Sequence, residues 1–237
     1  MTTKPKPRSV GAVKKILLVD DHPMFRQGLQ QYLQEDTSLT VCGQACDAAE
    51  ALQLLETLHP DLVVVDIGLP GRDGLDLIKD IRARDTRCGV LVFSMYDENI
   101  YAERALRAGA QGYLMKHESP LKLIQAIRSV LKGEFVTGEG VMQRVLRRTV
   151  ESQGQQAPTP LSSLSNRELE IFRLIGSGLA RGDVAQQLHL SVKTFEAHRA
   201  RIRQKLGLKN AAELFIFASR FVHDGNYPQN ATPPAKP

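Results

Sequence analysis

The chain has 237 residues, of which 42% are hydrophobic and 24% charged, with a formal net charge of +5. That length allows one large domain or two small ones, and no apolar run reaches the roughly 18 residues of a membrane helix. Three cysteines, Cys42, Cys46 and Cys88, form no CxxC pair, which argues against a disulfide framework or zinc site and for reduced thiols.

Residues 1–13, MTTKPKPRSVGAV, are basic and proline-bearing without the apolar stretch of a signal peptide; they read as a disordered lead-in. ILLV (16–19) then reads as a buried strand ending in Asp20 and Asp21. Pro23 to Leu33 reads as a helix with Phe25, Leu29, Tyr32 and Leu33 available for packing. A strand near 39–45 and a helix near 48–58 follow. LVVV (62–65) is short, bounded and β-branched, as a buried parallel strand should be, and Asp66 ends it. Next come a helix near 74–84, a strand at 89–93 closing on Ser94, and a helix near 98–108. A strand at 111–115 leads into Lys116, and a helix near 119–132 ends the series. Five strand/helix units over 14–134 predict a doubly wound, flavodoxin-like, five-stranded parallel domain.

The stretch 135–160 reads as a linker. A helix can form within it from Gly138 to Val150, but ESQGQQAPTP is polar, carries two prolines and has no apolar period. From 161 to 223 the pattern is wholly helical, with helices near 165–176, 181–188, 192–206 and 210–222, a small all-α domain. Residues 224–237 read as a disordered tail. Charge divides the same way. Lys14 to Glu134 holds 14 Lys+Arg against 18 Asp+Glu, a balance of −4, and Leu161 to Asp224 holds 10 against 6, a balance of +4. The helical half is therefore the better nucleic-acid partner.

Parallel strands share one carboxyl edge, so Asp20, Asp21, Asp66, Ser94 and Lys116 are expected to converge there. Three carboxylates left unpaired repel one another, and a hard cation such as Mg²⁺ relieves that with oxygen ligands. Asp66, at the end of the central strand, is the candidate nucleophile toward phosphorus. Lys116 supplies a point charge, and Ser94 a hydroxyl for the phosphoryl group. The glycine-rich run IGLPGRDG brings backbone close to the site, including the Gly68 carbonyl as a metal ligand. Singly, an aspartate at a strand end can instead cap the next helix, and a lysine can be a solvated charge; the joint placement carries the reading.

VDDHP, VVVDIGLPGRDG, FSMYDE and GYLMKHESP resemble, in order and spacing, the receiver domain of two-component response regulators over roughly 15–132. The resemblance implies that Asp66 is the phosphoacceptor. It implies that Asp20, Asp21, Asp66 and the Gly68 carbonyl hold Mg²⁺, and that Ser94, Tyr113 and Lys116 form the switch. His117 stands where many receivers carry proline, which bears only on the isomer of that peptide bond.

LARGDVAQQLHLSVKTFEAHRARIRQKLGL reads as helix, turn, helix. Val184, Ala185 and Leu188 form the inner stripe of the first helix, Leu190 sits in the turn, and Ser191 caps the second helix. At 100° per residue Phe195, Ile202 and Leu206 share one buried stripe of the second helix. Opposite them lie Lys193, Glu196, Ala197, Ala200, Arg201 and Gln204, with Thr194 at the entry and Arg199, Arg203 and Lys205 on the flanks. A small-centred polar face with basic edges suits a helix in the DNA major groove, edges on phosphates and centre on bases. SNRELEIFRLIGSG, DVAQQL and SVKTFEAHRARIRQKLGL resemble the LuxR-type helix-turn-helix over roughly 160–222, with Arg167 and Glu168 in its N-terminal signature. Gly182-Asp183 replaces a more usual Lys-Glu, and Glu196 occupies a position that is often basic. AAELFIFASRFV is apolar over much of its surface, which serves either a dimer contact or packing within its own domain.

Together the two halves resemble the NarL/FixJ class. The resemblance implies a cytoplasmic, phosphorylation-controlled transcription regulator that takes its phosphoryl group from a sensor histidine kinase and binds promoter DNA. It implies a homodimer when phosphorylated, no membrane partner, and no enzymatic activity beyond slow auto-phosphotransfer and autodephosphorylation. Three other readings stay open on the residues alone: a receiver-like regulator independent of phosphate, a flavodoxin-like phosphohydrolase, and an output domain that binds protein instead of DNA.

Overall fold

Strands and helices alternate along the first half because short β-branched runs are followed by capped amphipathic stretches. In this computed structural model residues 12–70, 73–138, 141–143, 160–188 and 190–224 are described. The lead-in before residue 12, the tail after 224 and the linker core at 144–159 lie outside them. So does most of the helix expected over 138–150, of which 141–143 are described and helical. The chain divides into two compact units, Met1–Val150 and Glu151–Pro237.

The first unit runs β1 (Lys14–Val19), α1 (Pro23–Gln34), β2 (Leu39–Ala45), α2 (Ala48–Leu58), β3 (Leu62–Val65), α3 (Gly74–Arg84), β4 (Gly89–Ser94), α4 (Glu98–Ala108), β5 (Gly112–Met115) and α5 (Pro120–Leu131). All strand pairs are parallel, in the order β2-β1-β3-β4-β5. Every residue of β3 and β4 is buried, as expected for strands covered on both faces. On one face Phe25, Leu29 and Leu33 of α1 and Leu123, Ile127 and Val130 of α5 pack on Ile16, Leu18, Val64, Leu91 and Phe93. Asp47, Asp73 and Ser119 cap α2, α3 and α5 with their side chains, each satisfying amides that a helix start leaves open. The strand order reverses between β1 and β3. Their carboxyl ends diverge there and leave the crevice in which ligands of such sheets bind.

The second unit starts with a 3-10 turn (Pro160–Ser163), then α6 (Asn166–Gly176), α7 (Arg181–Gln187), α8 (Val192–Leu206) and α9 (Ala211–Asp224). A capping box between Ser165 and Glu168 starts α6. Phe172 packs against Phe217 and Phe221 of α9, with ring centroids 5.7 and 5.5 Å apart. Val184, Ala185 and Leu188 are buried, as are Phe195, Ile202 and Leu206, so the two predicted inner stripes are where the 3.6-residue period put them. Ser191 caps α8 through the Thr194 N–H.

Candidate functional site

Asp20 follows β1 and Asp66 follows β3, the two strands that flank the crevice, and both are buried. Their backbones are in register: the Asp66 N–H donates to Val19 O at 2.8 Å. Ser94 ends β4 beside them and donates its hydroxyl to Asp66 Oδ1 at 2.7 Å. Lys116, just beyond β5, reaches across the edge. Its Nζ lies 2.5 Å from Asp66 Oδ2 and 2.5 Å from Asp20 Oδ2, and 4.4 Å from the centroid of the Phe25 ring, a cation–π contact. Burial alone would lower the pKa of Lys116, but the Asp66 charge and the hydrogen bonds to Asp20 and Asp66 outweigh it and hold it above the ordinary lysine value. The ammonium is therefore a fixed positive charge in a buried site.

Gly68 sits in the turn after Asp66 and donates its N–H to Asp66 Oδ1 at 3.0 Å. Tyr113 of β5 is buried, and its hydroxyl donates to Tyr96 O at 2.8 Å, in the turn after Ser94. Burial, with the Tyr101 hydroxyl and the Asp66 charge nearby, pushes the Tyr113 phenol far above its usual range, so it stays a neutral donor. The Ser94 Oγ in turn accepts from the Tyr96 N–H at 3.4 Å. Asp20, Asp66, Ser94, Lys116 and, through Tyr96, Tyr113 thus lie within one hydrogen-bonded group, and among the described residues no peptide bond is cis, so Lys116–His117 is trans.

Asp21 tests the fit of a cation. Its Oδ1 is shielded from solvent and accepts no hydrogen bond, although His22 Nδ1 stands 2.8 Å away in ion-pair contact. Oxygens of Asp20, Asp21 and Asp66 and a ring nitrogen of His22 all lie within 4.8 Å of one another. The three carboxylates of that group, one with a shielded and unsatisfied oxygen, fit Mg²⁺. His22 is the residue that sequence reasoning missed here. Its position directly after the acidic pair in VDDHP is the available signal. Neither aspartate caps α1: the N-cap is His22, without a side-chain cap bond.

On α8, Lys193, Thr194, Ala197, Ala200, Arg201 and Gln204 are exposed, while Glu196, Arg199 and Arg203 are half-buried. Four of the expected contact residues also have partners within the domain. Glu196 pairs with Arg199 at 2.7 Å. Thr194 shares a 2.8 Å hydrogen bond with the Ser191 hydroxyl. Lys205 Nζ lies 2.6 Å from the buried Glu168, which locks the end of α8 to the start of α6. Burial would raise the Glu168 pKa, but Lys205 and the Ser165 N–H hold it below the ordinary glutamate value. Arg167 donates to Glu170 and to the Leu188 carbonyl, tying α6 to the end of α7. Burial and the Arg201 charge lower the pKa of His198, whose Nδ1 is enclosed without a hydrogen-bond partner.

Comparison with known proteins agrees with both halves. Residues 16–128 match the response regulator receiver domain, and residues 162–218 match the bacterial regulatory proteins of the luxR family. The oxygen regulatory protein NreC of Staphylococcus carnosus (strain TM300) is 35% identical over 208 residues, spanning 86% of this chain and 96% of NreC. Among solved structures, a LuxR-family two-component response regulator from Aurantimonas sp. SI85-9A1 is 35% identical with a TM-score of 0.54, covering 59% of this chain and all of that one. The RcsB response regulator of Salmonella typhimurium, described for conformational dynamism in DNA interaction, is 25% identical with a TM-score of 0.61, over 89% of this chain and 98% of RcsB.

Proposed function

Because this chain belongs to the two-component response regulators that join a receiver to a LuxR-type DNA-binding domain, we propose that Asp66 is its phosphoryl acceptor and α8 its DNA-reading helix. The protein is a phosphorylation-controlled, DNA-binding response regulator, and its family is one of transcription regulators. The observation that carries the assignment to Asp66 is Lys116 bridging Asp66 and Asp20 opposite the Ser94 hydroxyl, at the strand-order reversal. The receiver is taken as 14–134 and the DNA-binding domain as 161–223.

A histidine kinase donates the phosphoryl group. An oxygen of Asp66 forms the new bond to phosphorus as the donor's bond to phosphorus breaks. Lys116 keeps one Asp66 oxygen oriented and supplies positive charge beside the transferring group. Ser94 Oγ, now on Asp66 Oδ1, turns its hydrogen to a phosphoryl oxygen. Asp20, Asp21 and Asp66, with the Gly68 carbonyl, would hold Mg²⁺. When bound, that ion neutralises charge developing on the phosphoryl oxygens. Tyr113, linked through Tyr96 to the turn after Ser94, follows the hydroxyl, so the switch is completed by Ser94, Tyr113 and Lys116. The only turnover is this self-phosphorylation and a slow loss of the group to water.

In α8 the exposed Ala197, Ala200 and Gln204 are the base-facing centre. Lys193, Thr194, Arg199, Arg201 and Arg203 are the phosphate-facing edge, and Glu196 with Arg199 sets its charge pattern. Lys205 approaches the same edge from its tie to Glu168. The phosphorylated chain forms a homodimer, supported by Phe215 and Ile216 of α9, 47% and 51% exposed, and so presents two α8 helices to two half-sites of promoter DNA. Its place is the cytoplasm, where promoter and kinase domain meet; among the described residues no helix is long and apolar enough to cross a membrane. Incubation with acetyl phosphate and Mg²⁺ followed by intact mass and peptide mapping tests the assignment. One phosphoryl on Asp66, absent from Asp66→Asn, is expected; an adduct elsewhere overturns it.

A further inference from the structure

β5 ends the five-strand order, yet its outer edge is not bare. After α5, Gly133 takes a left-handed φ of +84° and turns the chain back toward the sheet. Val136 then lies parallel to Gly112. Its N–H donates to Gln111 O at 2.9 Å, and its carbonyl accepts from the Tyr113 N–H at 2.8 Å. The Val136 side chain packs on the core beneath α1 and α5. Two residues on, the Gly138 N–H donates to the carboxylate of Glu98, the first residue of α4. A Cβ at residue 138 would stand 2.5 Å from Glu98 Oε2, so a larger residue there would push the Glu98 carboxylate aside. Residues 134–138 therefore strap the start of the linker across β5 and onto α4.

The strap touches the elements that hold the switch. Tyr113 gives Val136 its backbone N–H and gives Tyr96, in the turn between Ser94 and α4, its hydroxyl. Only three residues separate Ser94 from Glu98. We propose that this strap is the regulated joint between receiver and linker: phosphorylation of Asp66 opens the Glu98–Gly138 latch and loosens Val136 from β5. The proposal rests on Asp66 being the acceptor. A phosphoryl group there takes the place in which Asp66 Oδ1 now meets Ser94, the hydroxyl re-aims, and the turn that starts α4 moves with it. Glu98 is the α4 residue nearest that turn, and one hydrogen bond joins it to the strap. Val136 is bonded to β5 on one side only, so its release breaks no pair within the five strands. Freeing five residues lengthens the tether by up to roughly 17 Å at about 3.4 Å per residue, which changes the reach of the output domain without unfolding the receiver.

Hydrogen exchange of the full-length chain, read by mass spectrometry with and without acetyl phosphate and Mg²⁺, tests this while intact mass reports phosphorylation of the same samples. Exchange at 134–138 is expected to quicken by about tenfold or more on phosphorylation, and not in Asp66→Asn. Glu98→Ala and Gly138→Ala are expected to quicken it without phosphate, whereas Glu98→Gln, which keeps an acceptor oxygen, stays near wild type. A phosphorylated chain with unchanged protection at 134–138, or a folded Glu98→Ala chain with wild-type exchange there, overturns the strap and leaves Asp66 as acceptor. A chain that takes up no phosphoryl group removes that reading and the strap with it.

Discussion

Lys116 Nζ and Asp66 Oδ2 lie 2.5 Å apart with side chains 5% and 6% exposed, and the same ammonium is 2.5 Å from Asp20. One buried cation thus holds together two carboxylates that would otherwise repel. Lys116→Ala leaves both without a counter-charge. The loss is expected to cost about 3–5 kcal/mol, read as a lower urea midpoint. Mg²⁺ is expected to restore part of it in the variant and to stabilise wild type by less. A variant as stable as wild type in metal-free buffer would show that the ammonium does not hold the pair.

The Glu168–Lys205 pair is asymmetric, and its two halves are predicted to differ. Glu168 is buried and Lys205 is 39% exposed at the side chain. Lys205→Ala strands a buried carboxylate and is expected to cost about 2–3 kcal/mol. Glu168→Gln keeps an oxygen for the capping box and leaves a solvated lysine, at about 1 kcal/mol. The folded-state pKa of Glu168 is lowered. The stability it gives is therefore fully present above the unfolded value of roughly 4.3 and is lost as pH falls through the folded pKa. Glu168→Gln is expected to flatten the stability–pH curve below that value; equal slopes in both proteins would count against the pair.

The three thiols are expected to react in order of access. Burial pushes the Cys88 thiol up to about 12, so at pH 8 it is protonated and enclosed. Cys46 is exposed, although its hydrogen bond with Glu50 raises its pKa, and Cys42 is half-buried, with burial raising its pKa. A disulfide-exchange reagent should modify Cys46 first in the native chain and Cys88 only after denaturation. Fast labelling of Cys88 in folded protein would contradict its placement.

Charge and shape on α8 separate two kinds of DNA variant. Arg201→Ala removes an exposed cation and is expected to weaken binding to all sequences alike, reducing the salt slope by about 1. Gln204→Ala should leave the slope alone and cost about 1–3 kcal/mol of discrimination at one base position. Binding isotherms on specific and scrambled duplexes across a salt series read both. A helix that binds protein instead would leave both variants with no effect on any duplex.

The strand ends were legible because a parallel sheet forces every apolar run to finish at the same edge. Once ILLV, LVVV and GVLVFS were recognised as buried strands, Asp20, Asp66 and Ser94 had to be neighbours. The stripes of Phe195, Ile202 and Leu206 and of Val184, Ala185 and Leu188 were legible because burial follows a 3.6-residue period. His22 was not, since nothing in a strand or helix period says that an exposed side chain turns back toward the pair preceding it. Nor was the tie of Lys205 to Glu168, 37 positions apart: an exposed basic residue on a helix with a polar outer face reads as a phosphate contact until its neighbour is seen. The strap at 134–138 escaped for a related reason. EFVTG has no repeat, and a single bridged residue needs none.

Sequence by itself determined the two-part architecture, the chemical identity of the residues gathered at the sheet edge and the inner faces of the output helices. These follow from patterns of hydrophobicity that local geometry must obey. Tertiary structure alone decided that one ammonium serves two carboxylates, that Tyr113 answers to Tyr96, and that the chain after α5 returns to β5 and α4. Each of those is a contact between side chains or backbone groups brought together only when the sheet order is set, and a hydrogen bond between distant residues leaves no periodic trace along the chain.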